Sequence, residues 1–272
     1  MTAATDAERF QAEITRRYDA PMYRAMLEVY GDQIHPGFLE GPHDDLRTAA
    51  LRATARLAEL AGIAPGQSVL ETACGVGGSA RYLAAVRGAR VVATNIARSQ
   101  LAIALDWTRG KPEAARIRFD FADYHALPYP DGSFDAFWCQ DSLLFSTDRP
   151  RALAEAARVV RPGGTVALSD LVVVGTPGAG AAALLAEISA PGLWSAEDYR
   201  KGLAAAGFAV TAVEDWGRHV LASFDRIADE IAAKRARLAA IASEADVAAT
   251  LERYALWRTA ARTGNLGWAA LV

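Results

Sequence analysis

Cysteine is nearly absent from this 272-residue chain: only Cys74 and Cys139 occur, too few for a disulfide framework or a cysteine-based zinc site. Both fall where buried strand ends are expected and read as core thiols. His35, His43, His125 and His219 are scattered without metal-ligand spacing on one helix, so no metal site is expected. A GxSxG elbow, a P-loop and an HExxH are all missing, which argues against several hydrolase and phosphoryl-transfer chemistries. No run of basic residues stands out and the formal net charge is -3, so there is no electrostatic footprint for nucleic acid. No uninterrupted apolar run reaches about 18 residues, and the N-terminal stretch MTAATDAERFQAEITRRYD is polar, without an apolar signal core. The expectation is a soluble, cytoplasmic protein with a small-molecule partner and no membrane or nucleic-acid partner.

What is present is enough apolar sequence, 52%, to bury a full core in one elaborated α/β domain. Residues 6 to about 30 have helical periodicity, with Phe10, Ile14, Tyr18, Met22, Met26 and Leu27 able to share a face, and predict a helical N-terminal cap. After the loop Gly31 to Pro42, Asp45 to Ala61 reads as a helix stopped by Gly62, with Pro65-Gly66 turning the chain into a first strand. Strands are predicted at Val69 to Glu71, Ala89 to Thr94, Arg116 to Phe121, Phe134 to Trp138, Thr165 to Leu171 and Ala209 to Glu214. Helices fall at Ser79 to Val86, Ser99 to Thr108, Pro150 to Val160 and Ser195 to Ala206, the last with Ser195 as N-cap. Pro177 to Ala181 reads as a flexible break, 222 to 262 as helical, and the closing GWAALV as a final strand. Such alternation implies a mostly parallel sheet covered on both faces, with its ligand site outside the carboxyl ends of the strands.

The segment VLETACGVGGSARY, Val69 to Tyr82, carries the most chemistry: a strand ending in Glu71, a tight glycine turn, then a helix. Read as Ala73-x-Gly75-x-x-Gly78, the turn also fits a loose dinucleotide fingerprint. A pyrophosphate at the helix N-terminus would be opposed by the Glu71 carboxylate. S-adenosylmethionine (SAM) has no phosphate; its sulfonium and ammonium suit an acidic neighbour through charge-assisted hydrogen bonds. Glu71 could instead cap the following turn. Asn95 ends the second strand, where a polar residue commonly meets ribose hydroxyls, or it caps the next helix; Ile96 could pack on the adenine face. Asp123 could accept from the adenine amine, with Tyr124 as a flat neighbour, or simply form a turn. Gln140, Asp141 and Ser142 follow the fourth strand and are expected between cofactor and substrate. The six tryptophans read as core or lid residues, with Trp194 in a substrate-facing loop.

With these residues in place, the chain resembles class I SAM-dependent small-molecule methyltransferases, most closely the sarcosine/dimethylglycine N-methyltransferase-like group. It is also similar to the ubiquinone/tocopherol and natural-product branches. The ordered blocks YGDQIHPGF, VLETACGVGGSARYLA, LPYPDGSFDAFWCQDSLLFSTD and ARVVRPGGTVALSD carry the resemblance from about Tyr18 to Asp170, and WSAEDYRKGLAAAGF and GWAALV resume it. The resemblance implies a Rossmann-like seven-stranded sheet whose last strand is antiparallel. Residues 1–62 would form the cap or lid, 63–221 the SAM-binding core, 222–264 a helical insertion and 265–272 the final strand. It implies that Glu71, Ala73, Gly75 and Gly77 line the methionine end of SAM, and Asn95 and Ile96 the ribose and adenine. Asp123 and Tyr124 would meet the adenine amine, and Gln140 the methionine moiety. Gln100 joins this cofactor set, and Tyr18 with the Ile34-His35 segment closes from the cap. Two positions depart from the family. Ala73 stands in place of the usual first glycine and admits the ligand if its backbone does not require positive φ. Phe145 stands where related sequences usually have His, so a histidine base is not carried over and the pocket becomes greasier.

These readings predict methyl transfer to a small acceptor, first an amine nitrogen, with oxygen or carbon of a specialised metabolite as the alternative. Orientation, water exclusion and lid closure supply most of the catalysis. Asp141 and His35 are the candidate bases and Tyr23 a weaker one; Asp141 could also attract an ammonium or cap a helix. A SAM-binding cyclisation or rearrangement catalyst on the same fold stays open, and an NAD-dependent oxidoreductase is least favoured. The insertion either extends the lid or offers a homodimer surface.

Overall fold

The computed structural model describes residues 6–41, 44–188 and 192–272. Pro42 and His43, and the side chains of Phe10 and Ile14, lie outside what is described. Seven strands form one sheet: β1 (Ser68–Thr72), β2 (Arg90–Asn95), β3 (Ile117–Phe121), β4 (Phe134–Gln140), β5 (Val160–Val173), β6 (Val213–Asp215) and β7 (Leu266–Leu271). Their order is β3-β2-β1-β4-β5-β7-β6. β1 to β5 run parallel, and β7 is antiparallel to both β5 and β6. Strand order reverses between β1 and β4, which opens a crevice above their carboxyl ends. Glu71 and Gln140 stand at that crevice.

The inner strands β1 and β4 are apolar and largely buried, as a sheet covered by helices requires, whereas β3 at the sheet edge is only partly buried. α4 (Gly78–Ala85), α5 (Arg98–Thr108), α6 (Arg149–Val159) and α8 (Ala196–Ala205) supply much of that cover. α3 (Leu46–Leu60) packs on α4 and β5, burying Ala53, Leu57 and Ala58 completely. It starts where Asp45 accepts from the Thr48 amide at 2.8 Å, a cap of about 1 kcal/mol. Ser195 and Asp198 form a reciprocal capping box on α8, which satisfies two amides that would otherwise lack partners.

Above the strand ends, the predicted N-terminal helical run is two helices, α1 (Asp6–Asp19) and α2 (Pro21–Tyr30). Pro21 at N1 of α2 explains the break, because proline there costs no hydrogen bond and cannot continue α1. The predicted helical stretch 222–262 is likewise divided, into α9 (Val220–Ala233), α10 (Arg235–Ile241) and α11 (Glu244–Arg262). Ser243 caps α11 by accepting from the Asp246 amide at 3.1 Å. α9 and α10 pack on α2, and Lys234 donates to the Glu28 carbonyl at 2.8 Å.

Three expectations are corrected. The flexible break at Pro177 to Ala181 ends in α7 (Ala179–Ile188): past Gly178 the alanines and leucines are strong helix formers, and their propensity wins. β5 begins at Val160 instead of Thr165 because the RPGG turn is absorbed as an irregularity against Phe134 and Ala136 of β4. β6 shrinks to Val213–Asp215, while the Thr211 and Ala212 amides both donate to the Val272 carbonyl and the Ala212 carbonyl accepts from the Val272 amide. Among the described residues, no helix is long and apolar enough to cross a membrane.

Candidate active site

The turn after β1 is built on three left-handed residues, Ala73 (φ +54), Gly75 (φ +55) and Gly77 (φ +80). Ala73 therefore does need the positive φ that its sequence position left open. A Cβ in this region costs about 1–2 kcal/mol. Ala73→Gly is expected to remove most of that strain, raising stability by about 1 kcal/mol after the added chain entropy of glycine. Equilibrium urea unfolding with an unchanged m-value checks it.

Gly78 begins α4 under the cap loop so closely that a Cβ there would lie 2.0 Å from the Asp32 carbonyl oxygen. The buried Arg81 clamps this junction. It donates to the Val76 carbonyl at 2.9 Å and pairs with Asp32 at 2.9 Å, while Arg47 holds the other Asp32 oxygen at 2.8 Å. The loop Gly31–Gln33 is thus docked on the glycine turn by backbone proximity and a two-arginine clasp.

Glu71, Ala73, Gly75, Asn95, Ile96, Gln100, Asp123, Tyr124, Gln140 and Tyr18 all line one cavity over the β1/β4 crevice. Gly77 is the exception. Its missing Cβ would meet the Phe119 ring at 2.9 Å and Arg81 at 3.0 Å, so Gly77 shapes the helix start while Gly78 and Ser79 face the cavity. Where β1 meets the cavity, Glu71 is 3% exposed and its Oε2 has no hydrogen-bond partner. Burial pushes its carboxyl up to about 8, since desolvation disfavours the charged form. Further along the cavity, Asn95 holds the turn that leads into α5 without capping the helix itself. Its Oδ1 accepts from the Ala97 amide at 3.0 Å, and its Nδ2 donates to Gln100 Oε1 at 2.6 Å. That leaves the buried Gln100 Nε2 as the free donor. Asp123 Oδ1 accepts from the amide and ring of His125, both at 2.8 Å; burial opposes its charge, but these bonds hold its carboxyl below the usual range.

A second cavity of about 340 Å³ lies between α2, α9 and α11, walled mainly by aromatic and aliphatic side chains including Met26, Leu144, Phe224 and Trp257. Tyr18, Tyr23, Ile34, His35, Asp141 and Phe145 line both cavities and mark where they join. Trp194 does not face either; it packs edge-on against Tyr199 with Arg149 over its ring.

At the junction, Asp141 is a buried non-glycine residue at φ +52, a strain characteristic of functional positions. Its Oδ1 accepts from Trp268 Nε1 at 2.7 Å and Ser169 Oγ at 3.0 Å, while Oδ2 has no hydrogen-bond partner. Burial raises its carboxyl to about 7, with those two donors pulling the other way. His35 Nδ1 lies 3.9 Å from Oδ2 but bonds the Pro36 carbonyl at 2.8 Å. A carbonyl only accepts, so Nδ1 carries the proton and is turned away from base duty. Burial also drives the imidazole down to about 4. Burial pushes the Tyr23 phenol well above its usual range, which leaves it neutral and a poor base.

Gln33, Ser79 and Thr54 were not singled out from sequence, yet they complete the polar network. Gln140 Oε1 accepts from Ser79 at 3.1 Å and Thr54 at 3.3 Å, and the Thr54 hydroxyl also reaches Gln33 Oε1 at 3.4 Å. Gln33 sits inside the YGDQIHPGF block, the only sequence signal that could have found it. Among the described residues no cluster of metal-ligating side chains forms.

The buried partnerless Glu71 oxygen and Gln100 amide are what a ligand with a cation at one end and hydroxyls further along would satisfy. A methyltransferase-domain family model matches residues 70–168. The chain belongs to the SAM-dependent methyltransferases, with SAM as cofactor. It is 30% identical over 265 residues to the 27-O-demethylrifamycin SV methyltransferase of Amycolatopsis mediterranei, covering 95% of each chain. It is 39% identical over 173 residues to Methyltransferase GfsG of Streptomyces halstedii, a match spanning 62% of this chain and 61% of that protein. A putative sarcosine dimethylglycine methyltransferase from Galdieria sulphuraria superposes with a TM-score of 0.87 at 25% identity, over 93% of this chain and 97% of that one.

Proposed function

We propose that this methyltransferase acts on a phenolic or enolic hydroxyl of a largely apolar specialised metabolite, with Asp141 as general base. The carrying observation is the partnerless Asp141 Oδ2 at the junction of the cofactor cavity with the apolar one. Bound SAM supplies a methyl group on a sulfonium sulfur. Glu71 would hold its ammonium, Gln100 and Asn95 its ribose, and Ile96, Asp123 and Tyr124 its adenine. Tyr18, Tyr23 and Phe145 would exclude water and press the acceptor toward the junction. Asp141 Oδ2 would take the hydroxyl proton as the oxygen becomes nucleophilic, a task an amine lone pair does not need. A carboxyl poised near 7 suits this role.

An amine acceptor is the second reading. The aromatic walls of Tyr18, Tyr23 and Phe145 beside an acid also suit a cation, and the Galdieria neighbour is described as a sarcosine dimethylglycine methyltransferase. In either case the acceptor is read as a dissolved small molecule, with no nucleic-acid partner for a chain of net charge -3. Residues 6–30 and 222–264 are read as its lid.

The test is incubation with labelled SAM and matched phenols, enols and amines built on apolar ring systems, with the methylated atom assigned by NMR. Methyl ether products support the hydroxyl reading. Methylation confined to amines overturns it in favour of the second, and tight SAM binding with no labelled product would point to non-transfer chemistry.

A further inference from the structure

We propose that Trp268 and Ser169 are positioning residues for Asp141: two donors on neighbouring strands grip one carboxylate oxygen so that the other faces the acceptor. The inference rests on the reading of Asp141 as the base. Trp268 lies on β7 and Ser169 on β5, and both are essentially inaccessible at 0% and 1%. Their two bonds converge on Oδ1 from adjacent, antiparallel strands, so the carboxyl plane has little freedom to rotate. The backbone is pinned as well, because the Asp141 amide donates to the Ser169 carbonyl at 2.8 Å. That bond holds the left-handed turn that aims the side chain back over the sheet.

The indole itself is held by its surroundings. It meets Trp216 edge-on with centroids 4.9 Å apart, and Phe38 at 5.6 Å. Phe38 belongs to the loop following Ile34 and His35, so docking of the cap loop and orientation of the carboxyl share one aromatic cluster. A last strand added antiparallel thus does more than close the sheet edge: it delivers an N–H that nothing on the parallel strands provides.

Both donors favour the ionised carboxylate, so removing either raises the proton affinity of Asp141. The other groups that act on it electrostatically, His35 from the cap loop, Asp170 on β5 and Cys139 on β4, stay in place and cancel in the comparison. The experiment is a 13C NMR titration of the full chain carrying [13Cγ]aspartate, with the Asp141 resonance assigned by its loss in Asp141→Asn. In Ser169→Ala and Trp268→Phe the titration midpoint is expected to rise by about one pH unit each, while Ser169→Thr, which keeps the hydroxyl, restores it. Ser169→Ala carries the test alone if Trp268→Phe does not fold. An unchanged midpoint in a folded Ser169→Ala protein overturns the proposal. If midpoints shift but Asp141→Asn retains full activity, the grip on the carboxyl stands and the general-base reading fails. If Asp141→Asn is inactive while midpoints stay put, the base reading stands and the positioning role fails.

Discussion

Glu71→Gln is expected to weaken SAM binding by about 10- to 100-fold in calorimetry while leaving the fold intact. A charge-assisted hydrogen bond contributes about 1.5–3 kcal/mol, and glutamine keeps the shape while losing the charge. In the free protein the Glu71 carboxyl sits near 8 because it is buried without a partner for Oε2. A cation at that oxygen stabilises the carboxylate, so SAM binding near pH 7 should expel a proton from this residue. Calorimetry in buffers of different ionisation enthalpy detects that release, and the Glu71→Gln protein should lack its Glu71 share. Equal SAM affinity in the two proteins would remove Glu71 from the cofactor site.

The same shift makes the stability of the protein depend on pH. Glu71, Asp141 and Asp170 are all raised in the folded protein, to about 8, 7 and 8, each mainly by burial. A carboxyl raised on folding binds more protons in the native state between its unfolded and folded values. Without SAM, these three groups therefore lower stability as pH rises from about 4 to about 8, outweighing the buried His35, whose lowered value works the other way between about 4 and 6.5. Glu71→Gln and Asp141→Asn should each flatten that fall. Thermal melts between pH 4 and 9 without cofactor test this, and a melting temperature that climbs over the same window contradicts it.

Asp141→Asn is expected to lower kcat on a hydroxyl acceptor by about 10²- to 10⁴-fold, the usual contribution of a positioned general base. SAM affinity should change little, since Asp141 sits at the junction and not among the groups assigned to the cofactor's charged end. The wild-type kcat/KM profile should rise through about pH 7 as the carboxyl ionises. That limb should disappear in Asp141→Asn. Loss of SAM binding with retained turnover at saturating cofactor would reverse the assignment and make Asp141 a cofactor ligand.

Much of the fold is legible in the sequence because short apolar runs, glycine turns and helix caps are local signals. VLET and VVATN sit in β1 and β2 because both faces of each are covered, and all of GWAALV but Val272 lies in β7, which starts one residue earlier at Leu266. Where local signals compete, the reading fails. The alanine and leucine run after Gly178 overrode a turn signal, and the RPGG turn was absorbed into a strand. The convergence of Glu71, Asn95, Asp123 and Gln140 on one cavity was also legible, since residues at strand ends meet whenever the parallel topology is right. Gly77 was misplaced because spacing cannot tell which glycine of a turn faces the ligand and which faces a neighbouring ring.

The amino-acid sequence by itself determined the layered α/β architecture, the glycine turn and the acid that begins the cofactor site, because each depends on residues close along the chain. Only tertiary structure decided that Asp141 keeps one oxygen free, that His35 turns its proton toward Pro36, and that Gln100 has an idle amide. Those properties depend on partners more than 100 residues away, such as Trp268 for Asp141, or on which face of a local hydrogen bond is left over. Burial and hydrogen-bond completeness belong to the packed molecule, so no spacing along the chain encodes them directly.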